Sequence, residues 1–124
     1  MGELSFELAN FQVGRGGYVA SNPVKADPID PALTALLDPV GAIKDFVTIE
    51  QPVGPNVAAP VCRLSTTDTD VEYGLGELGV YARYLFHDTI PALVGTTFLF
   101  AVAHFPLISK TPSHTFVWRV MIAL

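Results

Sequence analysis

Cysteine is nearly absent: Cys62 is the only one in 124 residues. A single thiol excludes an internal disulfide, offers no pair of metal-binding thiolates, and fits a reducing compartment. Charge is scarce as well. Only 15% of the residues are Asp, Glu, Lys or Arg, against roughly 25% in an ordinary soluble domain. The seven basic residues form no cluster that could neutralise a row of phosphates, and the net charge of −5 comes from separated carboxylates. Nucleic acid is therefore not an expected partner. Internal repeats and low-complexity tracts are missing. A targeting segment is not expected either, because Glu3 and Glu7 stand where a secretory signal would carry its basic region and apolar core.

Apolar residues, by contrast, make up half of the chain. The length is that of one domain, large enough for a real core. With so little charge to cover an isolated surface, the composition reads as a subunit that expects neighbours. No Asp, Glu, Lys or Arg occurs from Ile90 to Ser109, but Pro91, Gly95, Thr96, Thr97, His104 and Pro106 interrupt the stretch. Its continuous apolar part, Phe98 to Ala103, has the length of a strand buried on both faces, and no membrane partner is expected.

Ten glycines and ten prolines punctuate short alternating runs, the pattern of a mainly β chain. Leu4, Phe6 and Leu8 alternate with polar neighbours, and Phe11 and Val13 resume out of phase, which predicts a strand with a bulge near Ala9-Asn10. Residues 20–42, with prolines at 23, 28, 31 and 39, read as a surface excursion. One short helix is expected there, with Asp30 as cap, Pro31 at the first position, Leu33, Leu36 and Leu37 on one side, and Asp38-Pro39 as the stop. Ile43 to Glu50 and Val57 to Leu64 predict two strands that can pair across the turn-forming loop from Gln51 to Asn56. From Val71 to Tyr81 an apolar strand carries Glu77. Ala82 to Val94, continuing to Gly95, reads as an extended loop bearing Tyr84, Phe86 and Pro91. In the last run Phe116, Trp118, Val120, Ile122 and Leu124 share one face, with Val117, Arg119 and Met121 on the other. The strand is therefore expected to be central or covered by a partner. The fold class expected is a compact antiparallel β-sandwich-like single domain, 1–124, with one short helix and long Pro-rich loops.

Residues that resemble chemistry have structural readings beside them. Gly74-x-Gly76-x-x-Gly79 matches a dinucleotide fingerprint only as a string, since no helix is expected to open at its end; glycines in a strand more often mark close backbone approach. His87, His104 and His114 lack the spacing of a zinc site, and His104 reads as a hydrogen-bonded core or interface residue. His87-Asp88 could act as an acid-base pair, but no Ser or Cys stands in a nucleophile-elbow context to use it. Glu77 and Arg119 lie among apolar residues. A buried charge requires a partner, so the two are expected to lie close together or to meet partners on another subunit.

The order Phe11-Gln-Val-Gly14, Gly17-Tyr18, Leu33-Thr-Ala-Leu36, Phe46-Val-Thr-Ile49, Glu77-Leu-Gly-Val-Tyr81, Gly95-Thr-x-Phe-Leu-x-Ala-Val-Ala103 and Arg119-Val-Met-Ile resembles the N-terminal, baseplate-attaching domain of bacteriophage tail-collar fibre proteins. The likeness spans nearly the whole chain, and its most specific parts are the blocks at 77–81 and 95–102. It departs from that family in lacking an opening helix with a Leu-Thr-x-x-Gly-like signature and in having Ala82 to Val94 where the family has a tight hairpin. The resemblance implies a virion structural protein that attaches fibres to a tail or baseplate after assembly in the host cytoplasm. It further implies a homo-oligomer, a trimer in that family, in contact with other tail proteins, and no enzymatic activity, cofactor or metal. It does not extend to a shaft or receptor-binding tip. Glu77, Leu78, Gly79, Tyr81, Tyr84, Phe86, Trp118 and Arg119 are the expected structural or interface residues. The alternatives are a component of a phage-related contractile injection system, a ligand- or carbohydrate-binding β-domain lined by Tyr73, Tyr81, Tyr84 and Trp118, and a small enzyme using His87 and Asp88.

Overall fold

Alternation of apolar and polar side chains at a period of two builds nearly everything in this chain. The computed structural model describes residues 4–50, 57–71, 73–87 and 89–123. In chain order its strands are β1 (Leu4–Gly14), β2 (Tyr18–Val19), β3 (Asn22–Ala26), β4 (Pro39–Lys44), β5 (Thr48–Glu50), β6 (Val57–Leu64), β7 (Tyr73–His87), β8 (Thr97–Lys110), β9 (Phe116–Arg119) and β10 (Ile122–Ala123). Two single 3₁₀ turns, Thr69–Val71 and Pro91–Leu93, are the helical elements among the described residues.

The protein is mainly β, with antiparallel sheets in one small domain. The first sheet has the order β4-β1-β7-β8. Its register slips where β1 places Leu8 opposite Ala82 and Asn10 opposite Tyr81, leaving Ala9 as the extra residue of a bulge, as the broken alternation predicts. β4 pairs only with the Phe11–Gly14 end of β1. It starts at Pro39, and an edge strand tolerates a proline because no donor is needed on its outer side.

The second sheet has β6 at its centre, with β5 on one side and β9 and β10 on the other. The pairs Val61–Arg119 and Ala58–Ile122 belong to one continuous register. β9 and β10 are thus one strand, interrupted opposite Pro60. Val120 still donates its N–H to the Pro60 carbonyl at 3.1 Å, but Pro60 has no N–H to return.

The sheets close face to face on Phe11, Val13, Leu75 and Leu78 from the first and Cys62 and Leu64 from the second, with Val71 entering from its 3₁₀ turn. Phe46, Phe105, Trp118 and Val120 pack against this cluster. Each large side chain buried here contributes roughly 1.5–3 kcal/mol relative to exposure. The loop from Gln51 to Asn56 lies outside the described residues, but β5 and β6 pair antiparallel as expected.

Five expectations are corrected. The segment after Asp30 is not a helix. Asp30 does cap it, its carboxylate accepting the Ala32 N–H at 2.9 Å and its carbonyl the Leu33 N–H at 3.1 Å. The turn does not propagate, because the Leu37 and Asp38 amides are drawn away to Glu77. Residues 82–95 are not one extended loop: β7 runs on to His87, paired with β1 on one side and, through Arg83, with β8 on the other. Ile43 and Lys44 belong to β4 of the first sheet, so the stretch from Ile43 to Glu50 crosses between sheets and is not a single strand. The C-terminal strand is an edge, not central, and its outer residues Val117 and Met121 are exposed. Likewise, Phe98 to Ala103 is only half-buried, on the edge strand β8, and not fully buried on both faces.

Candidate functional site

Glu77 sits on β7, on the face opposite Leu78, and is fully buried. The Pro-rich excursion explains how a carboxylate is tolerated there. After the β2–β3 hairpin the chain crosses this outer face of the first sheet as a strap. One Glu77 carboxylate oxygen accepts the Leu37 N–H at 3.0 Å and the other the Asp38 N–H at 2.8 Å. Hydrogen bonds to a carboxylate are stronger than neutral ones, and here they replace the water that Glu77 gives up. The strap's other end is held by His104, opposite Glu77 on β8. Its Nδ1 pairs with the Asp27 carbonyl at 2.9 Å, which makes Nδ1 the donor. Its Nε2 is buried without a hydrogen bond among the described residues and lies 4.0 Å from Glu77 Oε2, an ion pair only when the imidazole is protonated.

The glycines in this region are packing devices. A Cβ on Gly79 would come within 2.8 Å of Leu36 Cδ2, so Gly79 is the seat on which the buried Leu36 of the strap rests. Gly17 has φ of 90° and lies directly against the Gly76 carbonyl oxygen. That left-handed backbone favours glycine, and the close approach leaves no space for a side chain. The string Gly74-x-Gly76-x-x-Gly79 is therefore a stretch of paired strand closed against backbone, not a strand-to-helix turn that could receive a pyrophosphate.

The other expected residues fall in separate places. Leu78 and Trp118 are core, Trp118 stacking on Phe105 with ring centroids 5.7 Å apart. Tyr81 is half-buried beside the strap, its hydroxyl directed at Gln12 Oε1 over a long 3.4 Å. Burial raises its pKa, and the negative charge of Glu77 adds to the effect. Arg119 does not meet Glu77. It is exposed and pairs with Glu50 at 2.7 Å, reaching across β6 above Val61 and Ala59, which accounts for the burial of both on the sheet's outer face. Tyr84 stacks on Phe98 at 4.5 Å, and Phe86 is exposed nearby. Tyr73's side chain and Asp88 lie outside the described residues. Since Tyr81, Tyr84 and Trp118 belong to different clusters, they line no common pocket.

His87 caps a turn: its Nδ1 accepts the Ile90 N–H at 3.0 Å, so that nitrogen is committed to structure. A cavity of about 130 Å³ between Ile29–Leu33 of the strap and Leu99–Val102 of β8 is smaller than the several hundred Å³ typical of ligand pockets. Among the described residues, no group of His, Cys, Asp or Glu is placed to hold a metal, and no helix is long and apolar enough to cross a membrane. Burial pushes the Cys62 thiol up to about 12, which makes it a poor nucleophile.

Sequence reasoning did not find the strap's partners, Leu37, Asp38, Asp27 and His104, as a group. It also passed over Lys110, which is fully buried and donates to the Thr111 carbonyl at 3.5 Å, and the cluster in which Asp68 and Asp70 hold Lys44 at 3.1 and 3.0 Å. This cluster joins positions 24 and 26 residues apart, although the acid-rich stretch Asp68-Thr-Asp70 was a visible signal.

The ribbon of β1, β7 and β8 runs on past the residues it contributes to the central core cluster. That part carries Phe6, Tyr84, Phe98 and Phe100 linked by ring contacts, with centroids 4.5 to 6.3 Å apart. At its tip Leu85, Phe86, Ile90 and Val94 are exposed by 50%, 47%, 51% and 47%. No protein-family model matches the chain, and no curated protein is significantly similar to it.

Proposed function

We propose that this chain is a structural attachment subunit of a virion tail, a fibre or baseplate adaptor that works by protein–protein contact as a homo-oligomer, with the trimer of the tail-collar family as the expected order. The observation that carries the reading is the apolar ribbon tip. Leu85, Phe86, Ile90 and Val94 are each about half exposed within ten residues of chain, and exposed apolar surface of this kind marks protein contacts. Two further points support it. The groups that could do chemistry are engaged in structure: Glu77 and His104 hold the strap, His87 caps a turn, and Cys62 is buried. The blocks that carry the resemblance, 77–81 and 95–102, are also those that seat the strap and lead into the tip. The site of action is then the tail or baseplate of an assembled particle.

Gold-labelled antibody or a small tag on this chain, imaged on purified particles, tests the proposal. Label at the tail end is the expected result, whereas label confined to unassembled protein overturns it.

A further inference from the structure

We infer that His104 is a proton-operated latch on the strap: with its imidazole protonated, Nε2–H engages the Glu77 carboxylate and clamps the strap to the first sheet, and loss of that proton loosens it. The inference does not depend on the attachment proposal above.

The bond at Nδ1 fixes what Nε2 can do. A carbonyl only accepts, so the 2.9 Å pair with Asp27 places an N–H on Nδ1. A neutral imidazole carries a single proton, and Nε2 is then a bare lone pair. That lone pair is buried, meets no donor among the described residues, and lies 4.0 Å from Glu77 Oε2. Two acceptors facing each other where water is excluded are unfavourable. A second proton on the imidazole removes the conflict. Glu77 is suited to remain the anion, because both of its oxygens already accept amide N–H groups, at 3.0 and 2.8 Å.

Protonation acts on both ends of the strap. The two side chains are 2% and 0% exposed, so salt and solvent screen their attraction little. An approach of about 1 Å brings Nε2–H into the range of a charge-assisted bond to Oε2. The same proton strengthens the bond to Asp27, whose donor becomes charged. One imidazole thus links Asp27, where the strap begins, to the carboxylate that holds Leu37 and Asp38, where it ends.

No other described charge takes this place. On β7 the neighbouring titratable group is Tyr81, whose pKa is raised. Tyr18 of β2 packs beside Gly76. Lys25 of β3 and Arg15 of the β1–β2 turn are exposed, and the Arg15 N–H goes to the Asp38 carbonyl at 2.8 Å. The strap's own acids, Asp27, Asp30 and Asp38, are exposed as well. Gly14 and Gly16 close on the carboxylate from the remaining side.

Hydrogen exchange at the Leu37 and Asp38 amides of the full chain, divided by the intrinsic rate at each pH, tests the inference from about pH 8 to pH 5.5, where histidine changes charge. Protection of both amides should rise at least ~10-fold toward acid, the low end for a hydrogen bond to a charged group, and amides of the β1–β7 ladder should not follow. His104→Gln, which has no proton to gain, should abolish the rise. His114→Gln, in the exposed β8–β9 turn, should retain it. Nitrogen NMR of the wild-type imidazole gives a reading that needs no variant: His104 should pass from Nδ1–H alone to the doubly protonated form with the same midpoint as the two amides. Flat protection, a rise that survives His104→Gln, or an imidazole midpoint unlike that of the amides overturns the inference.

Discussion

Replacing Glu77 with Ala should release the strap from the first sheet. In the native chain the Glu77 carboxylate is fully buried and accepts the Leu37 and Asp38 amides at 3.0 and 2.8 Å. Alanine leaves both donors without an acceptor, at about 1–3 kcal/mol each for a buried group. The strap is only partly buried, which favours the low end, and relief from burying a carboxylate offsets part of the loss. A net loss of about 2 kcal/mol is expected, which for a domain of this size lowers Tm by roughly 6–10 °C. Glu77→Gln keeps one acceptor but turns an NH₂ toward the second donor, so about half of that loss is expected. Thermal melts followed by circular dichroism give the global effect. Hydrogen exchange at the Leu37 and Asp38 amides gives the local one, because a strap can detach without unfolding the sandwich. If Glu77→Ala leaves the exchange of these two amides unchanged, the carboxylate is not what holds the strap and the reasoning fails.

Other expectations are independent of that one. Gly17→Ala meets both a φ of 90° and the Gly76 carbonyl; a loss of at least ~3 kcal/mol is expected in urea unfolding, against about 1 kcal/mol or less for Arg119→Ala, whose ion pair with Glu50 is exposed. Asp70 has its pKa lowered, first by the Ala42 N–H it accepts and then, against the opposing effect of burial, by Lys44. A depressed folded-state pKa stabilises above the unfolded value and loses that contribution as the pH falls through the folded one. The urea midpoint should therefore drop below about pH 4, and Asp70→Asn should flatten that drop. For Lys44 burial acts to lower the pKa but is outweighed by Asp70 and Asp68, so its pKa is raised and the same cluster should weaken again as the pH rises through the alkaline range of lysine. Cys62, pushed up to about 12 by burial, should react with a thiol reagent at pH ~8 only as fast as the chain opens; rapid stoichiometric labelling of folded protein would contradict its place in the core.

Local pattern determined the strands. The phase change after Leu8 announced the β1 bulge, the alternation from Phe116 to Ile122 identified the face turned to the core, and glycines at 76 and 79 signalled close approach, because a period of two and the missing Cβ are properties of the chain alone. The density of prolines likewise marked 20–42 as lying outside the central sheet. Tertiary structure decided the remainder. Whether Asp30 to Leu37 became a helix depended on Glu77, 40 residues from Leu37, whose carboxylate offered these amides a stronger bond than another helical turn would. Whether Tyr84 and Phe86 stood in a loop or a strand depended on β1 and β8 supplying ladders on either side of β7. Arg119 found Glu50 across the second sheet, although the sequence, with Glu77 and Arg119 both among apolar residues, pointed to Glu77 or another subunit as its partner. Pairing energy is set by distance in space, and one-dimensional spacing carries that distance only within a turn or a strand.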